Sequence, residues 1–387
     1  MADLDHLRPR LERAFEFAGR QVRATIERTP DYFPIYTVGG RWEHGGELWT
    51  DWCGGFHAGM MWLLAERTGE SWWRDRAEHY SRLLESRQHD RNVHDLGFLF
   101  LNTYWPWYVQ TGDERLRRVV ITAGRTLALR FNAQGRYLRS FVAPESLFID
   151  IMMNVPLIFL AARNGRPRAF ELAAAHCRTT ERTLVRPDGG VAHEGIFDPQ
   201  TGEFLRQTTH QGLRGDSDWT RGLAWSLYGY ATVFRFTNDP ADRAVAERNA
   251  DHFLARCPEG LIPPWDFDVP PGPDRIADSS AAAIAASGLL DLAQIASTPD
   301  KARRYRAAAL TILDSLCDDR YLAWSTPGWE GVLMHGVYHF HKKLGVDESV
   351  MWGDFFFLEA VAKVLGVRPC ASAGLGGPDS TVGLPPG

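Results

Sequence analysis

Six times along this chain an aspartate stands at the head of an apolar run, at positions 51, 95, 150, 218, 278 and 354. The third is the plainest: Asp150-Ile-Met-Met-Asn-Val-Pro-Leu-Ile-Phe-Leu160. A helix that is apolar on every side has to be buried, and Asp is a favoured residue at a helix N-cap. Repeated six times, the pattern predicts six buried helices. The spacings of 44, 55, 68, 60 and 76 residues are too irregular for a short-period solenoid.

The segments between them read as outer helices. Leu7, Leu11, Phe15, Ala18, Val22 and Ile26 share one face over residues 5–28, which stop at Thr29-Pro30. Residues 72–87 and 113–130 repeat that character, and a mixed helix runs to about Thr183. Six inner helices ringed by six amphipathic ones give an all-α (α/α)6 barrel. No linker divides residues 1–367, so they read as one domain, and residues 368–387 as a disordered tail.

Loop lengths place the site. Inner-to-outer connections are short turns such as Arg67-Thr-Gly69, Arg163-Asn-Gly165 and Thr237-Asn-Asp-Pro240. Outer-to-inner connections are long, near 131–149, 184–217, 257–277 and 317–353. All the Asp-headed N-termini therefore meet at the rim that carries the long loops, where function collects. Residues 186–208, with Asp188-Gly-Gly190 and Pro199-Gln-Thr-Gly202, predict a β-hairpin over that rim.

Bulk properties narrow the chemistry. A net charge of −5 without a basic stripe argues against nucleic acid. Five scattered cysteines form neither a disulfide framework nor a zinc-type pair. The charged N-terminus and the lack of roughly 18 uninterrupted apolar residues argue against export and membrane insertion, so a cytoplasmic setting is expected. The 14 Trp, 21 Phe and 11 Tyr supply rings for walls of a sugar pocket. No metal or other cofactor is expected, since His339 and His341 are the one close pair and lack a carboxylate cluster.

Six carboxylates cannot all be catalytic. Asp278 and Asp354 are expected to be caps, and Asp51 to order the loop around Trp49 and Trp52. Asp95, next to His94, and Asp150, among Leu147, Phe148, Ile149 and Ile151, differ in kind. Apolar surroundings disfavour the ionised carboxyl and raise its pKa, and two acids in different environments suit acid–base work on sugars. A second concentration is His193, His210, Gln211, Trp219, Arg221 and Trp225. Arg221 and Trp225, four apart, share a helix face. The guanidinium of Arg221 is open to two partners, a neighbouring acid or a substrate carboxylate. Pro156 predicts a kink or a later helix start, which would leave Asp150 in a loop.

The blocks Trp49-Thr-Asp-Trp-Cys-Gly-Gly-Phe56, His94-Asp-Leu-Gly-Phe98, Asp150-Ile-Met-Met-Asn154, Thr209-His-Gln-Gly212, Asp218-Trp-Thr-Arg221, Pro264-Trp-Asp266 and Trp352-Gly-Asp354 together resemble glycoside hydrolase family 88, the unsaturated glucuronyl hydrolases. The resemblance implies release of 4,5-unsaturated uronic acid from lyase-generated oligosaccharides by hydration of the C4=C5 double bond. It implies that Asp150 protonates C4 and activates the water, and that Asp95, as a carboxylate, binds sugar hydroxyls and keeps Asp150 protonated. His193, Gln211 and Arg221 would contact the uronate or the water, and Trp42, Trp219 and Trp225 would form walls. An aromatic of the third long loop is either Phe131 or Phe141. Departures at Asp51-Trp-Cys-Gly-Gly-Phe56 and at Arg214 and Asp218 touch the rim. Two other readings are a conventional inverting glycosidase using the same acids and a sugar-binding barrel without turnover.

Overall fold

The computed structural model describes residues 4–42, 51–163 and 167–367. The tail at 368–387, the loop around Trp49 and the turn at Asn164-Gly165 lie outside the described residues. In chain order the helices are α1 (Leu4–Arg28), α2 (Gly54–Thr68), α3 (Ser71–Leu83), α4 (Leu96–Phe100), α5 (Tyr104–Thr111), α6 (Glu114–Ala128), α7 (Ile151–Asn154), α8 (Pro156–Arg163), α9 (Pro167–Leu184), α10 (Thr220–Thr237), α11 (Pro240–Arg256), α12 (Ser279–Ile295), α13 (Pro299–Leu316) and α14 (Met351–Val364).

The inner elements are α2, α4–α5, α7–α8, α10, α12 and α14. Each packs on the next, and α14 packs back on α2, so the ring closes as an (α/α)6 barrel. Burial follows from sequence. All of Gly54–Ala65 in α2 and Met351–Ala362 in α14 is buried, while α1 buries only its Leu7, Leu11, Phe15 and Val22 face. Close approach of neighbours needs glycine: a Cβ on Gly97 would stand 2.4 Å from the Asn154 Cα, where α4 meets α7.

The aspartates are not six equivalent caps. Only Asp278 caps its helix with its side chain, accepting from the Ser280 and Ala281 amides. Asp354 lies inside α14 and receives the Val332 and Leu333 amides, both at 2.8 Å. It therefore ties a rim loop to the ring rather than capping a helix. Asp218 precedes the Trp219 cap position and binds Arg186, His252, Arg256 and the Val191 amide. Side-chain caps fall instead on outer helices, at Asp113, Asp239 and Thr298. The reason is chemical: at the working rim these carboxylates have loop partners that compete with the helix's own amides.

Short strands cover the rim: β1 (Phe131–Asn132) with β2 (Tyr137–Leu138), β3 (Ser146–Phe148) with β4 (Glu194–Phe197) and β5 (Phe204–Thr208), and β6 (Gly336–His339) with β7 (Leu344–Glu348). The expected hairpin is β4–β5, enlarged by β3 into a three-stranded antiparallel sheet. The β6–β7 hairpin has no counterpart in the sequence reading. No described helix is long and apolar enough to cross a membrane.

Candidate active site

The long loops enclose a cavity of about 710 Å³ at the N-terminal ends of the inner helices. Rings of Trp52, Phe141, Phe148 and Tyr338 wall it; Asp95, His94 and Arg221 are its buried polar groups, and Asp150 is partly buried. His210, Gln211, His339 and Lys342 complete the lining. Phe141 is thus the third-loop aromatic, stacked on His94 with centroids 5.4 Å apart.

Both acids sit at breaks in their inner helices. Asp95 immediately precedes the five-residue α4, and Asp150 precedes the four-residue α7. Neither side chain caps its helix, which leaves both carboxyls for other partners. Pro156 explains the second break, because it supplies no amide and opens α8 as its first residue. Asn154 bridges the two elements. Its Oδ1 accepts the Phe98 amide of α4 at 2.9 Å and its Nδ2 donates to the Asp150 carbonyl at 3.1 Å. Sequence reasoning missed Asn154, although its position four residues after Asp150 put both on one helix face.

Each acid faces a histidine whose tautomer is fixed from behind. The Phe141 amide donates to His94 Nδ1 at 3.0 Å, so the ring proton is on Nε2, 3.3 Å from Asp95 Oδ1. The His210 and Gln211 amides donate to His193 Nδ1 at 3.1 and 3.2 Å. That places the His193 proton on Nε2, 3.6 Å from Asp150 Oδ2. Burial holds both imidazoles well below the usual histidine range, hence neutral.

Both carboxyls are pushed up. Burial is the main cause for each, taking Asp150 to about 6 and Asp95 to about 8. The Asp150 charge raises Asp95 further, and the Arg221 charge restrains Asp150. The sequence reading gives the proton to Asp150 and the charge to Asp95; in the substrate-free site both carboxyls are raised. The Asp150 charge acts on Asp95 across the cavity they both line.

The remaining residues divide. Arg221 donates to the Val337 and Tyr338 carbonyls and to Gln211 Oε1, with Asp278 Oδ2 at 3.8 Å. The neighbouring acid thus stands beside a guanidinium that also borders the cavity. Trp219 backs the site, with its ring 4.4 Å from that of His193 and beneath the Arg221 guanidinium. Trp225 lies deeper, between Phe98 and Phe356, and does not line the cavity. Trp42 does not line it either; its indole donates to the Glu330 carbonyl at 3.1 Å. Phe148, Tyr338, His339 and Lys342 were not foreseen. The first stands two residues before Asp150, and the others lie on the β6–β7 hairpin, which the sequence did not announce. Among the described residues no three His, Cys, Asp or Glu side chains gather as metal ligands would.

A closed ring of paired helices, with two raised carboxyls in an aromatic cavity, defines a carbohydrate-cleaving enzyme of the helical-barrel class. A sequence profile of Glycosyl Hydrolase Family 88 matches residues 23–266. Unsaturated glucuronyl hydrolase from Bacillus sp. (strain GL1) is 36% identical over 328 residues, covering 81% of this chain and 86% of that protein. Unsaturated chondroitin disaccharide hydrolase from Streptococcus pneumoniae (strain ATCC BAA-255 / R6) is 30% identical over 324 residues, covering 81% and 82%. The crystal structure of the Bacillus sp. GL1 enzyme superposes with a TM-score of 0.84 at 32% identity, over 91% of this chain and 96% of that one. The chain belongs to glycoside hydrolase family 88.

Proposed function

We propose that this enzyme releases a 4,5-unsaturated uronic acid from the non-reducing end of oligosaccharides left by polysaccharide lyases. The observation that carries the reading is a pair of raised carboxyls, Asp95 and Asp150, in one ring-lined cavity, read here as a dyad that holds one proton at neutral pH. A carbon–carbon double bond conjugated to a carboxylate needs such a pair, because a proton must be given to C4 and another taken from water.

The step balances without any other reactant. Asp150 gives its proton to C4 while water adds to C5 and loses a proton back to the carboxylate. The C5 hemiketal opens to a ketone as the ring oxygen leaves C5 and becomes the hydroxyl on C1. That hemiacetal at C1 expels the neighbouring sugar as its alcohol and leaves an aldehyde. Arrival of the substrate carboxylate brings a negative charge beside the dyad and displaces water, and both favour protonated Asp150. Asp95 is then the carboxylate that keeps the proton in place. His193 Nε2–H faces Asp150 Oδ2 and receives its negative charge once the proton has gone to C4.

The reaction is proposed to run in the cytoplasm, a setting supported by Cys53, Cys177, Cys257 and Cys317, all free thiols. The test follows the ultraviolet absorbance of the conjugated enoate on unsaturated disaccharides from chondroitin, hyaluronan, heparin, gellan, xanthan and ulvan. Loss of absorbance is expected on at least one, and Asp150→Asn is expected to abolish it. Release of saturated sugars with every enoate intact would overturn the reading in favour of an ordinary glycosidase.

A further inference from the structure

The block Pro264-Trp-Asp266 carries an acid that the reaction does not use. Asp266 is fully buried and does not line the cavity. Its backbone is pinned to the head of α10. The Phe267 amide donates to the Asp218 carbonyl at 3.0 Å, and the Thr220 amide to the Trp265 carbonyl at 3.2 Å. The carboxylate is thereby fixed to the inner ring. Its Oδ1 accepts the Asp268 amide at 2.9 Å. Its Oδ2 reaches the 209–217 loop, accepting the Leu213 amide at 2.8 Å and the Ser217 hydroxyl at 2.7 Å.

Every backbone amide of that loop from His210 to Arg214 donates to a side chain. His210 and Gln211 donate to His193 Nδ1, Gly212 to Thr209 Oγ1 at 2.7 Å, Leu213 to Asp266, and Arg214 to Ser217 Oγ at 3.0 Å. A segment held in this way takes its shape from its acceptors rather than from a ladder or a helix. At one end the acceptor is His193, which faces Asp150; at the other it is Asp266, anchored to α10. The peptide unit that Asp266 grips through Leu213 is held from its other side by His341, whose Nε2 donates to the Gly212 carbonyl at 2.9 Å. Thr209 Oγ1 also lies 3.3 Å from His193 Nδ1, so the loop closes round that nitrogen. If the loop leaves this course, Nδ1 is free to take the ring proton. Nε2, 3.6 Å from Asp150 Oδ2, then offers a lone pair in place of an N–H.

We propose that Asp266 is a positioning residue: by holding Leu213 and Ser217 it keeps the His210 and Gln211 amides on His193 Nδ1, and so keeps the His193 proton on Nε2, toward Asp150. The proposal rests on the reading of Asp150 as the group that protonates C4. The Gln211 side chain has a separate hold, since Arg221 donates to its Oε1. A loosened loop is therefore expected to cost kcat rather than KM.

The experiment compares Asp266→Asn, His193→Gln and the double variant. Asn keeps the size of the side chain but turns an NH2 group toward one set of donors. Asp266→Asn is expected to lower kcat on the order of tenfold, the worth of one buried hydrogen bond, with KM within about threefold. The double variant is expected to lose no more than His193→Gln alone. Proton–nitrogen NMR of enzyme carrying isotope-labelled histidine reads the tautomer without turnover, and the His193 signals are those absent from His193→Gln. The unaltered enzyme should show the Nε2–H tautomer at His193, and Asp266→Asn a mixture with the Nδ1–H form. An unchanged tautomer, an unchanged kcat or additive losses would each overturn the proposal. If Asp266→Asn fails to fold, Ser217→Ala, which removes the other tie between the loop and Asp266, decides on the same spectra. If the unaltered enzyme consumes no enoate, the uronate reading falls, and the spectra still decide whether Asp266 sets the His193 tautomer.

Discussion

Replacing Asp95 by Asn tests the shared proton directly. With proton losses at about 6 and about 8, the singly protonated dyad makes up about 80% of the enzyme at pH 7 and about 10% at pH 5 or pH 9. Below the acid limb no carboxylate remains to take a proton from water; above the alkaline limb no proton remains to give. The kcat/KM of the unaltered enzyme should therefore be bell-shaped, falling about tenfold from pH 7 to either end. In Asp95→Asn, Asp150 titrates alone. Freed of a neighbouring charge, it sits no higher than about 6, so at most about 10% is protonated at pH 7. The variant should lose at least about tenfold in kcat/KM at pH 7, about 1.4 kcal/mol, with its optimum moved to lower pH. Initial rates of enoate absorbance loss between pH 4.5 and 9.5 give both profiles. An Asp95→Asn enzyme that keeps an alkaline limb near pH 8 would refute the shared proton.

Three further outcomes follow from the contacts. Asn154→Ala strips the buried Phe98 amide of its acceptor, so it should cost about 1–3 kcal/mol in denaturant unfolding. Its kcat should fall while KM holds, since α4 and α7 set the distance between the acids. Arg221→Met leaves Asp278 and the carbonyls of Val337 and Tyr338 without their donor, which should cost about 3–5 kcal/mol. Adding Asp278→Asn should recover part of that loss, and a double variant no more stable than the single would disprove the pairing. Gly97→Ala drives a Cβ against the Asn154 backbone and should lower the free energy of unfolding by about 1–3 kcal/mol; an unchanged unfolding free energy would show that the two elements can separate freely.

The ring was legible because its signal is additive: each apolar run needs a neighbour to bury it, and six such runs close on one another. Turn chemistry was legible for the same local reason. Gly69, Gly112 and Asn238 end α2, α5 and α10 with positive φ, where the sequence reading places its short connections. What the sequence hid is partnership at the rim. Nothing in Asp354 or Asp218 says that loop amides and guanidinium groups, rather than helix amides, will claim the carboxylate. Phe141 and the amide behind His94 are equally silent, because they reach the site by loop geometry and not by periodicity. Arg221 shows the limit best: its charge announced an anionic partner, and only packing revealed Asp278 beside it together with the acceptors of Gln211, Val337 and Tyr338.

The two acids lie on the two inner elements that are broken, and this is a consequence of the chemistry asked of them. An unbroken helix headed by Asp would draw the carboxyl into capping its own first amides, as happens at Asp278, and hydrogen bonds to the charged form lower a carboxyl's pKa. At Asp278 burial outweighs the cap and the carboxyl is still raised, but its Oδ1 is taken up by its own helix, so what a break supplies is a carboxyl left for substrate. At Asp150 the helix stops after four residues because Pro156 must begin anew, and at Asp95 it stops after five, where Asn102 and Thr103 turn their side chains back onto the Phe98 and Leu99 carbonyls. Both carboxyls remain uncapped, buried and raised. The same breaks would leave two loosely held elements at the centre of the site, and Asn154 offsets that by joining one to the other across the acids. Helix propensity is given up at two places in the ring so that two carboxyls can keep a proton there.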